Sequence, residues 1–499
     1  MPKHKTPTKG PEIRLNAGSP VPLYKQLYER LRGAILAGQL ERGTRLPSTR
    51  TLADELGVSR NTTALAYEQL LLEGYLESQV GFGTVVSRNL PTTLLHEHAE
   101  RSQPAEAGAL DTSPVRLASH VRPLQEILYS DRIEGGIGVP FRGGEPALDL
   151  FPYDLWARLI ARRARQSLSE LGYYQSRAGY QPLREAIAAH IGITRGVRCT
   201  PEQIILTSGS QGAIDLALRT LLNPGESVWI ENPGYSGAQG ALIAARAHLV
   251  PVPVDEQGID VESGRQRCPD ARMVFTTPSH QFPTGVTMSL SRRLALLEYA
   301  EQSGMWILED DYDSEYRFSG RPLEALYGLD RAGRVIYIGT FSKTLFPMLR
   351  LGYLVAPTEL IEPMLAMRRV IDVHVPYLEQ MALSDFIGEG HFARHLRHML
   401  QHYTQRRDLL HRELTAHLGD LLDVYVPEAG MHLVGWLPPD KDDRHASELA
   451  FRVGIEAAPI SKYSLEPLPR GGLLFGYAGT NEESIRLGVK KLAAALKEL

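Results

Sequence analysis

Apolar positions along the chain follow two different periods, and the change from one to the other divides it. Between Pro22 and Ala37, Leu27, Leu31 and Ile35 recur at helical spacing, which predicts an amphipathic helix. Pro47 precedes a second, short helix, STRTLADELG, that stops at Gly57. A tight Gly57-Val58 turn then leads into a third, SRNTTALAYEQLLLEG, with Ala66 and Leu70 set to face a core. The segment YLESQVGFGTVVS makes two short runs around Gly81 and Gly83, the pattern of a glycine-tipped hairpin. From Pro140 onward, helical patterns alternate with short apolar runs: QIILTS, ESVWIEN, HLVPVPV, MVFTT, MWILED and RVIYIGT. That alternation predicts a mostly parallel sheet clothed in helices. After Tyr353 the chain turns helix-rich and ends on VYVPEAG, MHLVGWL, GLLFGYA and a last helix, which predicts a smaller α/β lobe.

Between the two regions Pro, Ser, His, Glu and Ala mix with little periodicity. Residues 88–137 therefore read as a linker, with a short helix around Val121–Leu128. The expected division is 16–87, the linker 88–137 and 138–499, behind a basic arm of fifteen residues. A length of 499 residues agrees, being too great for one compact domain.

Hydrophobic residues at 43% and charged residues at 22% describe an ordinary soluble globular protein. The net charge of -4 gives no overall positive field, so a DNA-binding surface has to be a local patch. Two cysteines are too few for a disulfide framework and suit a reducing cytosol. The basic start has no apolar stretch behind it, and no run of about 18 apolar residues occurs, so a cytoplasmic protein with no membrane partner is expected.

Three helices followed by a glycine-tipped hairpin make a winged helix-turn-helix, whose recognition helix offers its first turn to the major groove. Arg60 has the fork to read guanine, and Ser59, Asn61 and Thr62 can reach base or phosphate. Arg50 is placed to clamp the backbone, and the wing at Gly81 can approach a phosphate closely. Spacing alone leaves a helical protein-interaction module open.

In RVIYIGTFSKTLFPMLRLGY an apolar strand delivers Lys343 to a polar turn. Desolvation there would lower the pKa of its amine, and a Schiff base with an aldehyde needs that uncharged form. A loop lysine is by itself usually just solvated, so other segments have to support the assignment. In QIILTSGSQGAIDLAL, Gly209, Ser210 and Gln211 stand at a helix N-terminus, a natural phosphate site or a plain tight turn. Ser342 and Arg350 could complete a phosphate cage. MWILEDDYDSEY puts carboxylates at a strand's C-terminal end. Asp310, in preference to Asp311, can pair with a protonated pyridine nitrogen, and the Tyr312 hydroxyl can meet a phenolate oxygen. Tyr235, after a Pro-Gly turn, could stack on a ring.

The segment LPSTRTLADELGVSRNTTALAYEQLLLEGYLESQVGFGTVVS resembles the GntR-type winged helix, with Ala64 where many members carry a second arginine. LGYYQSRAGYQPLREAI, TSGSQGAIDLAL, ENPGYSG, TTPSHQFPTGV, LEDDYDSEY and FSKTLFPMLRLGY occur in the order found in the fold-type I aminotransferase domain of MocR-type regulators. That resemblance implies a transcription regulator that binds promoter DNA, carries pyridoxal 5'-phosphate (PLP) on Lys343, and responds to PLP or to an amine or amino-acid effector. Asp310, Tyr312, Tyr235, Ser210, Gln211, Ser342 and Arg350 are then the remaining cofactor contacts. Tyr174 is implied to reach the partner subunit's phosphate, hence a homodimer with shared sites.

Two departures weigh toward sensing over turnover. Phe282 stands where transaminases have an asparagine before Pro-Thr-Gly, and Leu474 stands where they have the arginine that binds the substrate carboxylate. The nearest arginine to that position is Arg470. Control of vitamin B6 synthesis is one expectation; a working aminotransferase with an accessory DNA-binding module, or a cofactor-free dimerisation scaffold, are the alternatives. The face formed by His391, His395, His398 and His402 has chelating spacing without supporting ligands, so no metal is expected there.

Overall fold

The computed structural model describes residues 13–79, 82–90, 117–129, 138–166, 173, 176–320 and 323–499. The chain forms two compact units, residues 1–116 and 117–499.

In the first unit, helices α1 (Leu23–Leu36), α2 (Thr49–Leu56) and α3 (Arg60–Leu72) precede strands β1 (Leu76–Gln79) and β2 (Gly83–Val86). The strands pair antiparallel, Leu76 opposite Val86 and Gln79 opposite Gly83. Local chemistry sets the boundaries. Ser48 Oγ accepts the Thr51 N–H at 3.1 Å to start α2, and Gly57 ends it in the left-handed region with φ 63°. Ser59 caps α3 in the same way through the Thr62 N–H at 3.1 Å. Leu27, Leu31, Ile35, Ala66 and Leu70, the positions picked out by periodicity, are all buried in one core with Leu52 and Val86. Burying such a side chain contributes about 1.5–3 kcal/mol, so the apolar stripe is what makes these short helices persist.

The second unit is built on strands β3 (Ile204–Thr207), β4 (Ser227–Asn232), β5 (His248–Asp255), β6 (Gly258–Ile259), β7 (Met273–Thr276), β8 (Trp306–Asp311), β9 (Val335–Thr340) and β10 (Gly352–Val355). Their order across the sheet is β3-β10-β9-β8-β7-β4-β5-β6. Neighbours from β9 to β5 run parallel, β10 is antiparallel to both β3 and β9, and β6 is antiparallel to β5. Ile336 and Ile338 of β9 pack into the core around helix Ser210–Leu221, whereas Val335 and Tyr337 enter cores on the other face. Burial on both faces is why these strands read as unbroken apolar runs. Helix Val121–Tyr129 also belongs to this unit, with Leu124 beside Gly240.

A smaller lobe combines helix His391–Leu418, helices Asp443–Arg452 and Glu482–Ala495, and a four-stranded antiparallel sheet. Its strands β11 (Asp423–Val424), β12 (His432–Trp436), β13 (Ala458–Pro459) and β14 (Gly472–Gly476) take the order β11-β12-β14-β13. The run VYVPEAG contributes only Val424 to the short β11, which pairs with β12 through Asp423 and Val424 alone. Among the described residues no helix is long and apolar enough to cross a membrane.

Candidate cofactor pocket and DNA-binding surface

Strands β3, β4, β7, β8 and β9 all end on the same edge of the sheet, the place where open α/β sheets bind ligands. A cavity of about 300 Å³ opens there, lined by Ser210, Gln211, Tyr235, Asp310, Tyr312, Ser342, Lys343 and Arg350 among others. Eight residues singled out from scattered segments thus share one wall system. Gly209 adjoins it, in a left-handed conformation with φ 82°; a Cβ there would stand 3.4 Å from the Arg350 guanidinium. Tyr174 and Gly81 lie outside the described residues.

Lys343 follows β9 directly. Its Nζ donates to the Gly144 carbonyl at 2.8 Å, and burial holds its pKa below the ordinary lysine value against the pull of Asp313, Asp310 and Glu145. Asp310, next to last in β8, lines the cavity, with Oδ1 buried and without a hydrogen-bond partner. Burial, then the neighbouring Asp311 carboxylate, push its pKa up to about 8, with Lys343 opposing. Asp311 is engaged elsewhere, accepting from Arg195 Nε at 2.6 Å and from the Tyr337 hydroxyl at 2.6 Å. One carboxylate is structural; its neighbour faces the cavity.

Ser342 Oγ and Ser236 Oγ are also buried cavity atoms without a partner. Arg350 takes a left-handed backbone, φ 49°, unusual for a residue with a Cβ, and its Nη2 donates to the Ser208 carbonyl at 2.7 Å. That strain brings the guanidinium beside the N-terminus of helix Ser210–Leu221, so cation and helix dipole meet at one end of the cavity. Tyr312 sits within 3.0 Å of His280 Nδ1, which also lies 3.0 Å from Asp313 Oδ2.

Sequence reasoning missed Ser236, Thr277, Asp313, His432 and Tyr463, all of which line the cavity. Asp313, Ser236 and Thr277 lay inside motifs already under scrutiny and His432 inside a strand-like run; Tyr463 had no periodic or motif signal. It also missed the support beneath them. Glu231, fully buried, accepts from Thr277 Oγ1 at 2.7 Å and from Gln281 Nε2 at 3.1 Å. Gln281 in turn accepts from Thr284 N at 3.0 Å, which fixes the loop carrying Phe282.

Leu474, fully buried on β14, packs with Val434 and Ile460, and Arg470 is held instead by Asp423 at 3.3 Å. On the helix His391–Leu418, His395 is buried with Nε2 2.9 Å from the Thr344 carbonyl, while the rings of His398 and His402 touch each other. Among the described residues, the one close grouping of metal-type ligands is His280, Asp313 and His432, and the first two already pair with each other.

In the first unit, Arg50, Arg60 and Asn61 stand exposed on the starts of α2 and α3. Ser59 Oγ is taken up by the Thr62 N–H and lies 2.8 Å from Thr62 Oγ1, so these two hold the recognition helix while its neighbours project. Tyr67 of α3 donates to the Pro47 carbonyl at 3.0 Å, fixing α3 to the entry of α2. Exposed Arg45, which had not been singled out, lies against Gly83 of the wing.

These features define a winged helix joined to an aminotransferase-type fold with a lysine-centred cavity. Comparison with known proteins agrees for both units. Residues 147–492 match the family model "Aminotransferase class I and II", and residues 23–86 match "Bacterial regulatory proteins, gntR family". The chain is similar to the probable rhizopine catabolism regulatory protein MocR of Rhizobium meliloti, 42% identical over 97% of this chain and 96% of the relative. It is also similar to the pyridoxine biosynthesis transcriptional regulator PdxR of Corynebacterium glutamicum, 30% identical over 97% of this chain and 98% of that one. Among solved structures it is similar to LysN, the α-aminoadipate aminotransferase of Thermus thermophilus complexed with N-(5'-phosphopyridoxyl)-L-leucine. There the TM-score is 0.67 and the identity 30%, over 76% of this chain and 95% of that one. The chain belongs to the MocR-type transcription regulators of the GntR family.

Proposed function

We propose that this regulator is PLP-dependent: its first unit binds promoter DNA, and its second holds PLP in the Lys343 cavity and reports PLP itself or an amine or amino-acid effector. The observation that carries the reading is the set of unsatisfied groups on one cavity. A buried carboxyl without a partner, Asp310, matches a cationic ring N–H. The orphaned Ser342 hydroxyl, beside Arg350 and a helix N-terminus, matches a phosphate. The residues present fit the group.

When bound, PLP supplies an aldehyde to primary amines and a ring that withdraws electrons. Lys343 offers the amine that would attach the cofactor, its pKa held below the ordinary lysine value by burial. Asp310 holds the proton at the ring nitrogen, Tyr312 hydrogen-bonds the phenolic oxygen, and Tyr235 covers a ring face. Gly209, Ser210 and Gln211 give the helix N-terminus to the phosphate, with Ser342 and Arg350 closing the cage. In this reading Tyr174 reaches the partner subunit's phosphate, so the working unit is a homodimer in the cytoplasm with two winged helices. Arg50, Arg60 and Asn61, with the wing at Gly81, contact DNA, and Ser59 and Thr62 position them.

A relative governing pyridoxine biosynthesis makes control of vitamin B6 synthesis one form of this proposal. The intact cavity also supports a second reading, an active aminotransferase; many turnovers of an amino donor in a steady-state assay would favour it. The test of the cofactor claim is colour. Purified protein is expected to be yellow, or to turn so with PLP, and Lys343→Ala to lose the absorbance; a wild type that stays colourless with excess PLP contradicts the claim.

A further inference from the structure

We infer that the free half of the Lys343 cavity receives a primary amine bearing no carboxylate or other anionic group, in preference to an amino acid. The inference rests on the PLP reading above and follows from the charges left once PLP has taken its share. Among the described lining residues the only cations are Lys343 and Arg350, and the anions are Asp310 and Asp313. Arg350, beside Ser208 and Gly209 at the helix N-terminus, belongs to the phosphate. Lys343 attaches the cofactor, and Asp310 serves the ring nitrogen. What remains charged is Asp313, held 3.0 Å from His280 Nδ1.

The wall facing an incoming ligand is Gly143, Gly144, Phe282, Met431, His432 and Tyr463. None of these is a standing cation. His432 is fully enclosed, with Nε2 3.0 Å from the Pro283 carbonyl, and burial, then His280 and Lys343, push its pKa down to about 3. Leu474 backs the glycines: a Cβ on Gly143 would stand 2.7 Å from Leu474 Cδ2. His432 also borders an adjoining hollow of about 1070 Å³ that does contain arginines. Each is already paired, Arg267 with Glu466 at 2.9 Å and Arg470 with Asp423 at 3.3 Å. A carboxylate entering the cavity would lose its water and meet Asp313 instead of a counter-ion. An ammonium group entering the same space is attracted by that carboxylate, which can accept the proton the amine must lose before it reaches the cofactor. The field of the cavity admits a small amine and disfavours its carboxylic analogue.

The test uses the PLP-loaded full chain and follows its visible absorbance during titration with matched pairs, serinol against L-serine and 2-aminoethanol against glycine. The expected result is a spectral shift with the amino alcohols at half-saturating concentrations at least roughly ten-fold below those of the amino acids. Equal or tighter responses to serine and glycine would overturn the inference, since a counter-ion would then have to be present. No response to either member, in protein that is visibly loaded, would overturn it too and leave PLP as the sole ligand. Protein that takes up no PLP would fail before the titration and refute the cofactor reading as well.

Discussion

Arg60 stands exposed on the first turn of α3, whereas Asp310 is 4% exposed at the end of β8 with an orphaned oxygen. The two units store function in opposite ways. In the winged helix, a fully buried apolar core supports cations that face water, and the one orphaned buried polar side-chain atom among its described residues is Thr63 Oγ1, behind the recognition surface. In the lysine cavity, Ser236, Asp310 and Ser342 all keep buried polar atoms unsatisfied around one space. Each such atom costs roughly 1–3 kcal/mol when nothing pairs it. Long-range attraction suits a partner as large and charged as DNA, and its strength follows salt. Unsatisfied burial suits a small ligand that brings the missing partners with it, and its strength follows pH.

The contrast can be broken at several points. The largest effect belongs to Lys343→Ala, which should abolish the cofactor absorbance and leave thermal unfolding of the first unit unchanged. Asp310→Asn should come next, weakening PLP affinity roughly ten- to hundred-fold in a fluorescence titration through loss of a charge-assisted hydrogen bond of about 1.5–3 kcal/mol. Arg60→Ala should cost about 1–3 kcal/mol in binding to the DNA upstream of its own gene, at fixed salt. Arg50→Ala should act differently, lowering the salt slope by about one with little loss of sequence preference. Ser59→Ala removes the α3 cap and should lower stability of the first unit by about 1 kcal/mol, without changing the spectrum of the cofactor.

The same comparison gives a pH dependence. The Asp310 carboxyl has its pKa raised to about 8, well above the usual carboxylate range, by burial and then by Asp311. Its favourable form in the cofactor-free fold is therefore the protonated one. The stability it contributes is fully present below the ordinary carboxylate value of about 4 and is lost as pH rises from there through about 8. Glu309, pushed to about 7, and Glu315, to about 8, mainly by burial, act in the same direction. Cofactor-free protein should melt at falling temperature as pH is raised over that range, and Asp310→Asn should flatten the slope. PLP, by pairing with Asp310, should flatten it as well.

Much of this was legible in the sequence because strands buried on both faces leave continuous apolar runs. QIILTS, ESVWIEN, MVFTT, MWILED and RVIYIGT all became strands of one sheet. The candidate residues at their ends were legible for the same reason: a motif at a strand terminus is carried to the sheet edge whatever the order of strands. His432 and Tyr463 were not, since they enter from the small lobe and topology alone brings them to the cavity. Asp310 was preferred to Asp311 and matched the family motif, and the Arg195–Asp311 pair gives that preference a physical basis. Leu474 was visible as a missing charge, but that no cation replaces it among the described residues of the wall facing a ligand required the neighbouring side chains. Ser59 and Thr62 were read as reaching for DNA, and their hydrogen bonds turn out to cap α3.

The central claim is that what fills the Lys343 cavity changes how the winged helix binds DNA. The direct test is the affinity of the full chain for its promoter DNA, measured at one salt concentration with PLP-loaded wild type and with Lys343→Ala. The account predicts affinities that differ by at least about five-fold, the lower end of a typical coupling between sites. Identical affinities, with the wild type fully loaded and the variant empty, would contradict it.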